Sequence, residues 1–446
     1  MEIEFIPVGG YGEVGKNMGL LRVGDEAVIL DMGLFIPKAV SFEEEGGHRE
    51  RASTLELIKY GMIPDDRVIE KYKQEVKAIV LSHAHLDHIA ATQYLAPHYP
   101  QAPVITTPFS MEVLKTTMSD DNIKIPNQLK PLNLNHPLKI SKNIEIELIN
   151  MPHSTPQSSV VAVHTPKGTV LYGNDFKLDE SPTLGQKGNV KRLKQLGKGN
   201  VIAAIVDALY APIHSKTPSE AIAKSLLKNV MLGSENNHNA LIATTFGSHL
   251  ARLKSMIEFS RKLDRKVVFL GRSMKKYIDA GQKIGIINFA GTEVLGYSNM
   301  VKRKVKKLSG KSLDKYTIIC TGGQGESKAV LTKMVSGALE FKFQKEDSVI
   351  FSNKVIPTEP NITSRKKLEE KLEAKKVRIF KDVHSSGHMA REDIRDFIKM
   401  TNPSIVIPAQ GDHKMFSAFS ELAENMGYKK NKNVFTPKDG EKLKIS

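Results

Sequence analysis

The sequence predicts an α/β protein in which a strand-rich, metal-binding domain is interrupted by an inserted α/β domain with its own sheet. Three observations predict it. Ligand-type residues stand directly after strand-like apolar runs at several places in residues 1–207. From 208 to 361 the texture changes to alternating helix and strand. Short strand-like runs near further candidate site residues then follow to the end. The simplest division is a metal-binding domain over 1–207, an insert over 208–361, and a segment 362–446 that completes the first domain.

The first segment offers strands at 2–8, 27–31, 76–81, 104–106, 144–149, 160–164, 170–172 and 201–206. In the insert, 219–232 and 248–263 have helical periodicity, while 240–244, 267–270, 317–320 and 348–351 are short apolar runs of the parallel-strand kind. Runs at 377–380 and 405–407 follow, within the completing segment.

His83-Ala84-His85-Leu86-Asp87-His88 carries the most chemistry. It leaves the apolar run Ala78-Ile79-Val80-Leu81, so it sits on a loop at a strand's carboxyl end. Neutral imidazole nitrogens and a hard carboxylate suit zinc or manganese. On a turn, His83 and His85 can face one ion while Asp87 and His88 face another. His153, after 144–149, can complete the first shell, and Asp175, after 170–172, can bridge two metals. Each alone would be weak evidence, since Asp in a turn is commonly turn chemistry. Their order along the chain carries the argument.

Composition bounds the class. Hydrophobic residues are 40% and charged residues 26%, the proportions of an ordinary globular protein. No apolar run approaches the roughly 18 residues of a membrane span, so no membrane partner is expected. The acidic start Met1-Glu2-Ile3-Glu4-Phe5 is not a signal peptide. The single cysteine, Cys320, excludes an intrachain disulfide and fits a reducing cytoplasm; within Thr317-Ile318-Ile319-Cys320 it reads as core rather than nucleophile. A net charge of +16 invites a polyanion such as nucleic acid. Lysines and arginines cluster at 302–307 and 187–198; a third group, from Arg365 to Lys381, alternates with Glu369, Glu370 and Glu373 as on a salt-bridged surface helix. With no Trp and 6% aromatics, an extensive base-stacking platform is not expected.

The motifs together resemble the β-CASP branch of the metallo-β-lactamase superfamily and, within it, the ribonuclease J family of archaeal type. The resemblance runs over nearly the whole chain: the opening Gly9-Gly10-Tyr11-Gly12-Glu13-Val14-Gly15-Lys16-Asn17-Met18, the metal motifs, Val206-Asp207, Thr244 to Arg252, Cys320 to Glu326, His384-Ser385-Ser386-Gly387-His388, and Pro408-Ala409-Gln410-Gly411-Asp412-His413. It implies a four-layer αββα sandwich with an inserted β-CASP domain and a two-metal centre at one sheet edge. The implied activity is hydrolysis of RNA phosphodiesters, 5′→3′ from a 5′-monophosphate, in RNA decay and maturation. Metal ligands would be His83, His85, Asp87, His88, His153 and Asp175. Asp87 would also orient the nucleophile, His388 would act on the phosphate or leaving oxygen, and Asp207 would orient a histidine. Ser248, His384, Ser386 and Gly387 would meet RNA and its 5′-phosphate. The cofactors would be two divalent metals, zinc first, with manganese or magnesium as alternatives. The partner would be single-stranded RNA, with a homodimer by family analogy.

The chain departs from the family's pattern in its last motif. Gln410 stands where a second-metal histidine is usual, so either that site is weak, or His413 substitutes, or the Gln410 amide oxygen binds. Smaller departures are Ala90-Ala91 for glycines and Gln157 for an aspartate. Three other activities compete: an endonuclease of the RNA-precursor type, a DNA-directed β-CASP nuclease, and a catalytically dead RNA-binding scaffold. The scaffold would require lost metal ligands, and all six are present.

Overall fold

A computed structural model of the protein describes residues 1–233, 239–309, 313–357 and 359–446. The chain packs as two compact units. One comprises Met1–Glu180, Gln186–Thr217 and Gly387–Ser446; the other comprises Ser181–Gly185 and Pro218–Ser386.

The first unit holds two sheets. Seven strands form one, in the order Leu443–Lys444, Ile3–Gly9, Met18–Val23, Glu26–Leu30, Val76–Val80, Val104–Thr106 and Leu129–Pro131. Six form the other, in the order Ile405–Ala409, Val201–Asp207, Gly168–Gly173, Ser159–Thr165, Glu145–Asn150 and Pro137–Lys139. Their strands are nearly continuous apolar runs because both faces are covered. Val28, Leu30 and Val80 of the first sheet share one core with Leu148, Val161, Val163 and Val170 of the second. Each such side chain contributes about 1.5–3 kcal/mol on burial. Helices Arg391–Thr401 and His413–Asn425 pack on Val201–Asp207 and Ile405–Ala409, and helix Pro108–Asp120 packs beside Leu129–Pro131. The layering is the expected αββα sandwich.

The second unit is an all-parallel sheet in the order Glu293–Leu295, Lys266–Leu270, Tyr316–Cys320, Leu241–Thr244, Ser348–Phe351 and Arg378–Phe380. Its core includes Ile242, Val268, Ile318, Cys320 and Val349. The helices Leu250–Lys262, Arg272–Lys283 and Ser298–Ser309 supply crossovers, as parallel pairing requires.

The unit boundaries differ from 208–361 at both ends. Residues up to Thr217 stay with the first unit, where the Ala208 amide donates to Ala409 O and the Thr217 amide to Asp393. At the far end Arg378–Phe380 pairs in parallel with Ser348–Phe351, so it extends the insert's sheet instead of completing the first unit. Arg365 is also not the surface residue its charge pattern suggested. It is 4% exposed, lies 3.4 Å above the Phe351 ring centroid and pairs with Glu369 at 2.7 Å. The 302–307 cluster lies on helix Ser298–Ser309, which buries Val301, Val305 and Leu308 and turns its lysines outward, Lys306 onto Glu340. Among the described residues no helix is long and apolar enough to cross a membrane.

Candidate metal centre

The candidate ligands meet because their strands end at one edge. Gly168–Gly173, Val201–Asp207 and Ile405–Ala409 are parallel, with Gly173 beside Val206 and Asp207 beside Ala409. Glu145–Asn150 points the same way, since it and Gly168–Gly173 are both antiparallel to Ser159–Thr165. In the first sheet Glu26–Leu30 and Val76–Val80 are parallel. Asp31, His83, His153, Asp175 and Gln410 leave carboxyl ends of these strands, and Asp207 is the last residue of its own. Asp31 (φ 61°), Asp175 (φ 58°) and Gln410 (φ 56°) take the left-handed conformation there, which asparagine-like side chains tolerate best.

Four donors converge on one position. His85 Nδ1 is 3.2 Å from His83 Nε2 and 3.1 Å from His153 Nε2. Asp175 Oδ2 lies 3.6 Å from His83 Nε2 and 3.8 Å from His153 Nε2. A second group has three donors: Asp175 Oδ2 is 3.1 Å from His88 Nε2, which is 3.5 Å from Asp87 Oδ2. Asp175 belongs to both groups. All six expected metal ligands are therefore brought together.

The hydrogen-bond partners behind the rings decide which nitrogens face inward. His88 Nδ1 is 2.8 Å from Asp31 Oδ2, a pure acceptor, so it carries a proton and turns Nε2 toward Asp175 and Asp87. Burial opposes charge on the ring, but Asp175, Asp87 and Asp31 prevail and hold it well above the usual imidazole range, so a metal there would displace the Nε2 proton. Ser82 gives its hydroxyl proton to Asp31 at 2.9 Å and so accepts from His83 Nδ1 at 3.0 Å, which bares His83 Nε2. His153 Nδ1 donates to Gly387 O at 2.8 Å, baring its Nε2. Glycine is needed at 387, where a Cβ would stand 2.6 Å from His153 Nδ1. Burial, reinforced by neighbouring imidazoles, holds His83 and His153 well below the usual imidazole range, in the neutral state a metal requires. For Asp87 burial pushes upward, but His88 outweighs it and holds the carboxyl well below its usual range. Asp175, 1% exposed, has an Oδ1 without a hydrogen-bond partner. Converging lone pairs and a buried half-satisfied carboxylate fit divalent cations.

His388 stands beside this cluster. Its Nδ1 is 2.7 Å from Asp207 Oδ2 and 3.8 Å from Asp175 Oδ1. Burial opposes its charge, but Asp175 and Asp207 prevail and raise its pKa to about 9. Gly387 precedes it with its carbonyl committed to His153. Ser248, His384 and Ser386 belong to the second unit. There the fully buried Arg252 donates to both Glu220 oxygens at 2.6 and 2.8 Å and to Ser352 O and Oγ at 2.9 and 2.7 Å, while Ser352 Oγ donates to Val383 O at 2.7 Å. That fastens the stretch leading into His384 and Ser386. His384 is held neutral, first by burial and then by Arg252.

Several residues fall elsewhere than the motifs suggested. His413 opens the helix His413–Asn425, is exposed, and joins neither metal group. Gln410 is buried at the cluster, but its oxygen accepts from the Gly15 amide at 2.8 Å and its Nε2 donates to Asp87 Oδ2 at 3.0 Å. Gln157 lies outside the metal groups, its oxygen accepting from the Phe109 amide at the start of helix Pro108–Asp120. Asp31 and Asn17 are candidate functional residues whose place at the site the motifs did not reveal. Asp31 accepts from His88, Ser82 and Tyr172, the last at 3.0 Å. Its signal was available, because an acid ending a buried strand before Met32-Gly33 follows the same pattern as Asp207. Gly33 has a steric reason, since a Cβ there would lie 1.7 Å from Asp87 O.

Known proteins resemble the chain along its length. The model described as Ribonuclease J, beta-CASP domain matches residues 238–367, the Metallo-beta-lactamase superfamily model matches 11–214, and the Zn-dependent metallo-hydrolase RNA specificity domain matches 375–437. Ribonuclease J of Pyrococcus abyssi is 40% identical over 444 residues, covering 99% of this chain and 97% of that protein. Ribonuclease J of Methanocaldococcus jannaschii is 39% identical, covering 99% of each. Ribonuclease J 1 of Streptococcus pyogenes is 28% identical, covering 100% of this chain and 75% of that protein. The crystal structure of a protein of unknown function from Enterococcus faecalis V583 matches with a TM-score of 0.65 and 17% identity over 100% of both chains, a likeness of fold.

Proposed function

The chain belongs to the ribonuclease J family, and from that premise we propose that it is a metal-dependent ribonuclease acting 5′→3′ from 5′-monophosphate ends. The observation that carries the reading is the convergence of His83, His85, His153 and Asp175 on one position and of Asp87, His88 and Asp175 on another. Two divalent ions bound there, zinc in the first instance, would activate water and offset charge on the scissile phosphate.

The protein's own residues do the rest. Asp31 and the Gly387 carbonyl hold Nδ1 of His88, of His83 through Ser82, and of His153, so those rings do not have to turn when the site loads. Asp87 aligns the attacking oxygen. Asp207 holds the Nδ1 proton of His388, leaving Nε2 to donate to the phosphate or to the departing 3′-oxygen. Ser248, His384 and Ser386 are assigned to phosphate oxygens of the RNA, and Arg252 keeps their backbone in place. The net charge of +16 favours the polyanionic substrate. A cytoplasmic location and a homodimer belong to the same reading; sedimentation equilibrium tests the second.

The deciding experiment digests 5′- and 3′-labelled single-stranded RNAs bearing monophosphate, triphosphate or hydroxyl 5′ ends, beside matched DNA. Mononucleotide release from the 5′-monophosphate RNA, slowed by the other ends, is expected. Internal fragments from all substrates alike would replace the exonuclease reading with an endonuclease one.

A further inference from the structure

The two candidate metal groups differ in their number of donors. The first has four protein donors and the second has three. Gln410 stands against the second group, 1% exposed just after strand Ile405–Ala409. What it presents there is fixed by a chain of hydrogen bonds whose directions are all forced. The Asp31 carboxylate can only accept, so the Tyr172 hydroxyl donates to it at 3.0 Å. That hydroxyl must then accept from Asn174 Nδ2 at 3.1 Å, and the same nitrogen donates to Asn17 Oδ1 at 3.1 Å. Asn17 therefore turns its Nδ2 to Gln410 Oε1 at 2.7 Å, where the Gly15 amide also donates at 2.8 Å. A backbone amide can only donate, so both partners independently require oxygen at that end of Gln410. Its other end is the NH2, aimed at Asp87 Oδ2 at 3.0 Å.

We propose that the centre is built to bind its two ions unequally: one tightly at His83, His85, His153 and Asp175, the other loosely and exchangeably at Asp87, His88 and Asp175. Gln410 offers hydrogens where a fourth ligand would have to offer a lone pair. It also occupies one oxygen of Asp87, which the second ion has to share or win. Asn17 adds to this, its Nδ2 lying 3.2 Å from Nε2 of His88, the nitrogen that the second ion would need. Gln410 is thus a positioning residue, aligning Asp87 while leaving the second ion replaceable from solution. The inference rests on the two-ion reading above.

The test counts ions without measuring RNA hydrolysis. Full-length protein stripped with a chelator is titrated with Zn2+ or Mn2+ by calorimetry, and native mass spectrometry counts the ions bound. Two dissociation constants about tenfold or more apart are expected, with the first ion alone surviving dialysis. Gln410→His, or Gln410→Glu if the histidine lowers the melting temperature, is expected to tighten the second constant about tenfold. His413→Ala is expected to move neither constant. Two equal constants in the unmutated protein, or a folded Gln410 variant with an unchanged second constant, overturn the inequality. A single ion in every variant at every concentration overturns the two-ion reading, and this inference with it.

Discussion

The Nδ1 atom of His388 lies 2.7 Å from Oδ2 of Asp207, and the other oxygen of that carboxylate accepts the Leu209 amide at 2.8 Å. The second bond gives Asp207→Asn a definite outcome. Leu209 requires an oxygen, so an asparagine would keep its Oδ1 there and turn its NH2 to His388. Nδ1 would then have to accept, and the ring would lose the proton that Asp207 now holds. The expected result is a fall of about 10²–10⁴-fold in kcat, with both metal constants unchanged. Single-turnover kinetics beside a metal count checks this; a variant that loses metal in step with rate would place Asp207 in ligation instead.

Asp31 bears on the candidate metal groups by another route. One carboxylate holds His88 directly and His83 through Ser82, so its loss loosens a ligand in each metal group. Asp31→Ala is expected to weaken both ions about 10–100-fold, and His413→Ala neither. Calorimetric titration of the two variants decides it. Weakening confined to one ion would break the link drawn through Ser82.

These two acids also mark what the sequence could and could not disclose. Six candidate ligands were legible because their residue types are rare together and their order along the chain is set by strand ends. Val201–Asp207 was legible because all seven residues are buried and apolar up to the acid. Met18–Val23 was not, because it follows a glycine-rich loop and carries Gly19 and Arg22. Leu129–Pro131 and Pro137–Lys139 are three-residue edge strands containing proline, with no periodicity to read. Arg378–Phe380 reads as a strand in sequence, but sequence alone does not say which sheet has a free edge for it. Asn17 was hidden for a similar reason: its role is set by Asn174 and Gln410, residues 157 and 393 positions away.

Cys320 provides a probe of the second unit. It is the only cysteine, it is fully buried in strand Tyr316–Cys320, and burial pushes its thiol pKa up to about 12. A thiol so protonated and enclosed is inert. At pH 8 the native protein is expected to resist alkylation and to react with one equivalent in denaturant. Fast labelling of native protein, with no change in circular dichroism, would mean that the strand opens without global unfolding.

That probe in turn tests the Arg252–Glu220 pair. Arg252 is 0% and Glu220 4% exposed, and the two are joined by paired bonds of 2.6 and 2.8 Å. Removing one partner leaves a buried charge with less compensation, at a cost of up to about 3–5 kcal/mol. Arg252→Leu takes the guanidinium from Glu220, leaving it His249 Nε2 at 3.4 Å, and it also frees Ser352 and the backbone before His384. Cys320 alkylation in that variant is expected to accelerate about a hundredfold or more, the same free energy expressed as an opening equilibrium. Replacing both residues by leucine removes the stranded charge as well. The double variant should therefore label more slowly than Arg252→Leu, although it has lost more hydrogen bonds. If stability falls additively instead, the pair acts as two independent contacts, and Arg252 would owe its burial to Ser352 rather than to Glu220. Cleavage of 5′-monophosphate RNA by the double variant then separates stability from positioning. With the charge problem gone, a remaining loss of end preference reports the slackened His384–Ser386 stretch alone, and full retention would remove Arg252 from any part in recognising the RNA end.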